Sequence, residues 1–206
     1  MNDVRSRLLI WTGPVFAVGF LTIGLATGSV PDDNASAATV LKYYTDHSAR
    51  TLVGVFLAPL AVALLIVFAA QVRARAQAIN ANATGPTVML SGAVLWGAGL
   101  LLGSTVTLAQ VDAADKKQAE AGLALNYLNG ATWLPFIAGI AVFLIGAGMT
   151  VLATKLVPRW LGWLALVVGI VSLAGPGGFV GFFGAPVWIL IAGVLLATSR
   201  RPVNNG

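Results

Sequence analysis

Thr132 to Thr154 reads TWLPFIAGIAVFLIGAGMTVLAT, and the chain turns basic directly afterwards at Lys155 and Arg159. No charged side chain interrupts the run. A helix that crosses a bilayer needs about 20 mostly apolar residues, because its backbone N–H and C=O groups must bond one another where water is absent. This stretch meets that requirement by itself. A basic pair at its end marks the cytoplasmic side of a span.

The same reading extends in both directions. Apolar runs lie at about 8–28, 52–70, 86–109, 132–154, 158–174 and 179–198. Pro86 stands at a helix first turn, where its missing N–H costs nothing. Pro59 lies inside the second run and is expected to kink it. The first run is longer than the roughly 7–15 apolar residues of a signal peptide and reads as a retained span. The fifth is the shortest, and the glycine- and proline-rich stretch from Gly175 to Pro186 leaves a re-entrant turn open as an alternative there. With 58% hydrophobic and only 9% charged residues, and a mean hydropathy of +0.88, the chain cannot cover itself with a water-facing surface. The sequence therefore specifies one all-α domain over 1–206, a polytopic transmembrane bundle of about six spans.

Charge placement sets the orientation. With the N-terminus inside, the inner segments hold Arg5, Arg7, Arg73, Arg75, Lys155, Arg159, Arg200 and Arg201, whereas the outer ones hold Lys42, Arg50, Lys116 and Lys117. The acids Asp32, Asp33, Asp46, Asp112, Asp115 and Glu120 all fall outside, leaving Asp3 within. Each inner segment carries a basic pair, so each supports the same answer: both termini cytoplasmic in a plasma membrane. This placement also explains the net charge of +5 without nucleic acid, which is not an expected partner.

The outer segments read as short helices, about 35–50 and 112–128, the first capped by Asn34 or Ser36. Val40, Leu41, Tyr43, Tyr44 and His47 recur at spacings of three and four, giving an amphipathic face suited to the membrane surface or to capping the bundle. A faint echo at an offset of 84 residues relates Leu41-Lys42-Tyr43-Tyr44 to Leu125-Asn126-Tyr127-Leu128, each ahead of a span.

Chemistry is scarce. Apart from Arg159 at the inner end of the fifth, the spans contain no ionisable residue, whereas proton relays and ion pathways depend on them. Cysteine is absent and His47 is the only histidine, so no thiolate site exists and zinc, which takes three or four ligands, is not expected. Ser91, Ser104 and Ser172 lie in spans with no base beside them. No catalytic residue and no cofactor is expected. The candidate ligand-binding group is Tyr43, Tyr44, Asp46 and His47 on the outer face, although the preferred reading of these residues is an interfacial helix with its tyrosines at headgroup depth. Glycines four apart (Gly24/Gly28, Gly99/Gly103, Gly177/Gly181) allow close helix approach and read as packing positions.

Arg7 to Gly24 (RLLIWTGPVFAVGFLTIG) resembles the opening span of a family of small bacterial, actinobacterial-type membrane proteins known as a domain of unknown function. Lys155-Leu156-Val157-Pro158-Arg159-Trp160-Leu161-Gly162-Trp163 is similar to that family's cytoplasmic turn between the fourth and fifth spans, and the Tyr43-Tyr44 pair is similar to one on its outer helix. The resemblance implies a six-helix bacterial membrane protein and carries no activity with it.

The expected role is a non-enzymatic accessory or scaffold subunit, with the lipid bilayer, other membrane subunits or a second copy as partners. The second reading is a small carrier or binding protein for a lipid-like or apolar ligand. The orientation has a direct check. In this cysteine-free chain, Ser48→Cys and Gln118→Cys are expected to react with an impermeant thiol reagent added outside intact cells, and Ala78→Cys only after lysis.

Overall fold

The computed structural model describes residues 8–27, 30–32 and 34–199. Gly28 of the first glycine pair, and Arg5, Arg7, Arg200 and Arg201 of the basic pairs, lie outside these. The helices are α1 (Thr12–Thr27), α2 (Ala37–Asp46), α3 (Ser48–Ile79), α4 (Gly85–Asp115), α5 (Ala119–Ala131), α6 (Trp133–Thr154), α7 (Arg159–Ser172) and α8 (Gly178–Thr198), with a 3-10 turn at Gly175–Gly177. No strand occurs among the described residues. Five helical stretches are long and apolar enough to cross a membrane: Leu8–Leu25, Ser48–Ile79, Gly85–Asp115, Ala119–Thr154 and Gly175–Thr198; Arg159–Ser172 is a shorter apolar helix.

Several boundaries differ from the sequence expectation, for one reason. Hydropathy marks where lipid could be, whereas helix continues as long as its hydrogen bonds do. The second span, expected over 52–70, runs from Ser48 to Ile79 and carries Arg73 and Arg75 within it. It is unbroken through Pro59. The short helix expected over 35–50 stops at Asp46, because His47 leaves helical geometry with φ −118° and ψ 14° and starts α3. The one expected over 112–128 is divided: Asp112–Asp115 belongs to α4, the chain reverses at 116–118 with Lys117 left-handed (φ 56°), and α5 then leads into α6 across Thr132. At the other loop, Gly175–Gly177 forms a 3-10 turn and Gly178 onward is continuous helix through Pro186.

The most extensive helix pair is α4 with α6. Along it, glycines recur every seven residues on both partners. A Cβ on Gly85 would lie 2.6 Å from the Thr150 backbone nitrogen, and one on Gly99 the same distance from Phe136 Cα. Gly92 abuts the backbone of Phe143, Gly139 that of Trp96, and Gly146 that of Met89. The contacts share a single antiparallel register, with 85 opposite 150, 89 opposite 146, 92 opposite 143, 96 opposite 139 and 99 opposite 136. Steps of three and four alternate, as on any helix seam. Glycine at alternate positions lets main chain rest on main chain.

The other helices build on this pair. Gly97 of α4 receives Val62 of α3, while Gly148 and Gly169 of α6 and α7 bring those two helices together. Gly181 of α8 sits on Ser172, and Gly193 on Pro14 of α1, so the first and last helices are neighbours. Phe16, Phe68, Trp96, Ile140, Phe143 and Leu144 fill the interior at 1% exposure or less. Trp96 stands edge-on to Phe16 (5.3 Å between centroids, 86°) and Phe20 (5.8 Å, 80°), and Phe20 in turn meets Phe136 and Phe182. Of the glycines named from the four-residue spacing, Gly24 has Phe182 at 3.7 Å, Gly103 has the Thr132 hydroxyl at 3.3 Å, and Gly177 abuts Val171 within its own turn.

Gly92→Ala and Gly139→Ala each place a methyl on the facing main chain. Each is expected to cost about 1–3 kcal/mol, as overpacked cores do. Gly19→Ala, with nothing within 4 Å of its Cβ, is expected to be neutral or slightly stabilising. Thermal unfolding of the three variants in one detergent measures the difference.

Candidate functional site at the capped end

At one end of the bundle α4 and α5 continue past the glycine seam, and α2 lies against them. Ser36 caps α2, its Oγ accepting from the Thr39 N–H at 3.2 Å. The face expected to be apolar is buried: Val40 at 0% and Tyr44 at 2% exposure pack on Val111 and Ala114 of α4, with Leu52 and Leu123 at the margin. Beneath them lie two amides on α4 and α5. Gln110 Nε2 donates to Asn126 Oδ1 at 3.4 Å, and Asn126 Nδ2 donates to the Asp32 carbonyl at 3.0 Å, tying the α1–α2 connection down. Gln110 Oε1 is buried without a hydrogen-bond partner.

The four residues singled out from the sequence divide into two groups. Tyr43, Tyr44 and His47 form an aromatic run: Tyr43 is edge-on to Tyr44 at 5.1 Å and stacks on His47 at 4.6 Å and 27°. His47 Nδ1 lies 2.9 Å from the Tyr43 carbonyl, which can only accept, so Nδ1 is the donor in this contact. Asp46 turns away to Lys42 Nζ at 2.7 Å, both side chains well exposed. The hydrogen bond and charge of Lys42 hold the Asp46 carboxyl below the usual carboxylate range, and Asp46 raises Lys42 in return. An exposed i,i+4 pair contributes little to stability.

This arrangement holds structure more than it offers chemistry. Asp112, a possible partner for His47, is paired with Lys116 at 2.7 Å. No three His, Asp or Glu residues converge on a metal position among the described residues. Ser104 and Ser172 donate to carbonyls four residues back, at 2.8 and 2.6 Å, and are not directed at a base. Sequence reasoning overlooked Gln110 and Asn126. Their signal was the placing of two carboxamides on either side of the reversal at 116–118, where an antiparallel hairpin brings them together. The chain matches no known family model, no curated protein and no solved structure.

Burial, with a lesser contribution from Tyr43, pushes the Tyr44 phenol from 10.0 up to about 12, and a hydrogen bond from Gln110 works in the opposite sense. Between pH 10 and about 12 the unfolded chain has therefore released a proton that the folded chain still holds, so stability falls as pH rises through that window. An ultraviolet titration is expected to show one of the three tyrosines ionising late. In Tyr44→Phe both the late step and its share of the stability slope are expected to disappear.

Proposed function

We propose that the chain is a six-span bacterial plasma-membrane protein with both termini cytoplasmic and the capped end outside, acting as a non-enzymatic accessory or scaffold subunit. The observation that carries this reading is the filled interior. The helices meet through backbone contact and interlocked aromatics, and the buried residues among those described include no charged side chain. Such a core transmits position; a transported solute would need a polar path through it.

The span beyond the five long helices is α7, the fifth in chain order. Its 14 residues rise about 21 Å at 1.5 Å per residue, short of a hydrocarbon core of roughly 30 Å. Packing supports this assignment, since α7 lies between α6 and α8 and reverses the direction of each. Orientation rests on the basic residues of the inner segments. α7 also turns a broad apolar face outward, with Trp160 at 57%, Trp163 at 61%, Val167 at 57% and Ile170 at 61% exposure. That face is where a neighbouring subunit or a second copy would sit.

A carrier reading has one supporting observation. Trp133 meets Phe179 at 5.2 Å and Phe182 at 5.8 Å, and Phe179 is 63% exposed, so an apolar ligand would find aromatic surface there. Extraction in a mild detergent followed by native mass measurement separates the two. The scaffold reading expects an assembly heavier than the 21.2 kDa chain. A lone monomer under every mild condition would sink it, and an apolar small molecule lost in Trp133→Ala would install the carrier reading instead.

A further inference from the structure

At the end opposite the cap, the α6–α7 turn and the last turn of α8 border an open recess of about 350 Å³, lined by Lys155, Leu156, Pro158, Arg159, Leu195 and Ser199 among others. Its construction follows from the chain. α6 ends on Lys155 in the left-handed conformation (φ 54°), whose N–H returns to the Val151 carbonyl at 2.8 Å. Val157, 6% exposed, then anchors the crossing, and Pro158 opens α7. The end of α8 reaches this turn because Trp188 Nε1 donates to the Leu161 carbonyl at 2.9 Å and Gly184 lies against Val168.

The charge in the recess is unbalanced. Lys155 and Arg159 are exposed, and neither meets a carboxylate among the described residues; Lys42–Asp46 and Lys116–Asp112 both lie at the capped end. Ser199 Oγ donates to the Leu196 carbonyl at 3.2 Å, which leaves the two cations as the recess's anion-binding groups. The rest of the wall is apolar, from Leu156 and Leu195. Exposed Trp160 and Trp163 follow Arg159 directly, as aromatic side chains do at a membrane–water interface. Two cations at the mouth of an interhelical recess with an apolar wall match a phosphate that carries a hydrocarbon tail.

We propose that this recess binds the phosphate of an anionic phospholipid, with Lys155 and Arg159 engaging the phosphate oxygens and Leu195 bordering the start of an acyl chain. The proposal rests on the spanning part of the reading above and is independent of the scaffold role. Its chemistry would also admit free phosphate, and the test separates the two sources. The protein in a mild detergent is titrated with phosphatidylglycerol or phosphatidylcholine and followed by native mass spectrometry, and with inorganic phosphate or short-chain phosphatidylglycerol and followed by thermal shift. Phosphatidylglycerol is expected to bind at least about tenfold more tightly than phosphatidylcholine, and that preference is expected to vanish in Lys155→Gln/Arg159→Gln. The charge-conserving exchange Lys155→Arg/Arg159→Lys is expected to keep it, as is Lys42→Gln/Lys116→Gln at the capped end.

Equal binding by the parent and the Lys155→Gln/Arg159→Gln variant overturns the proposal. So does a phosphate shift as large as that from the lipid, since the site would then belong to the free anion. Should the double variant not fold, Arg159→Gln alone replaces it, on an exposed first turn, and unchanged lipid preference there counts against the site. The accessibility of Ala78→Cys reports separately on orientation: labelling from outside would reverse the assigned sides and leave the lipid preference standing.

Discussion

Main chain against main chain, along α4 and α6, is the contact on which the rest of the molecule depends. Inside a bilayer the lipid tails are as apolar as leucine, so helices gain little from leaving lipid for one another and must be held by close packing. Each atom pair adds only about 0.1–0.2 kcal/mol, so the gain comes from number and proximity. Glycines at 85, 92 and 99 on one helix and at 139 and 146 on the other bring two backbones together from 85 to 99 of α4 and from 136 to 150 of α6. A slip of one residue would set side chains against backbone at every level. The seam therefore fixes register as well as distance.

The capped end inherits that register. Because α5 continues the line of α6 and α4 runs on to Asp115, the amide of Gln110 meets Asn126 beyond the last glycine, and α2 finds a ready surface in Val111, Ala114 and Leu123. Tyr44 is buried as a consequence of this hairpin. The basic recess at the far end is likewise a product of packing, since α8 can reach the α6–α7 turn only if Trp188 and Gly184 seat it on α7.

The centres of the spans were legible because apolar length answers directly to bilayer thickness. Their ends were not, since Arg73, Arg75 and Asp112 remain helical past the point where lipid could hold them. The seam was legible in principle: Gly85, Gly92 and Gly99 stand seven apart in plain view, but a search at four-residue spacing selects Gly99 and Gly103 and passes over the pattern. The spacing put Tyr43, Tyr44 and His47 together and their rings are in contact, but spacing alone could not show that His47 stands just past the end of α2 or that Asp46 turns away to Lys42. Contacts between distant segments, such as Trp188 with Leu161 or Arg75 with Leu196, had no local signal because the residues meet only through tertiary packing.

The pairing of Pro14 with Gly193 has a consequence for how the molecule is made. Helices enter the membrane in order as the ribosome extends the chain, and α3 through α6 can close their hairpins as soon as each is inserted. α1 cannot. It has α3 on one side early, but its other flank stays uncovered until α8 arrives. A chain that stalls before α8 is made therefore leaves the surface around Pro14, which Gly193 would cover, open along the length of α1.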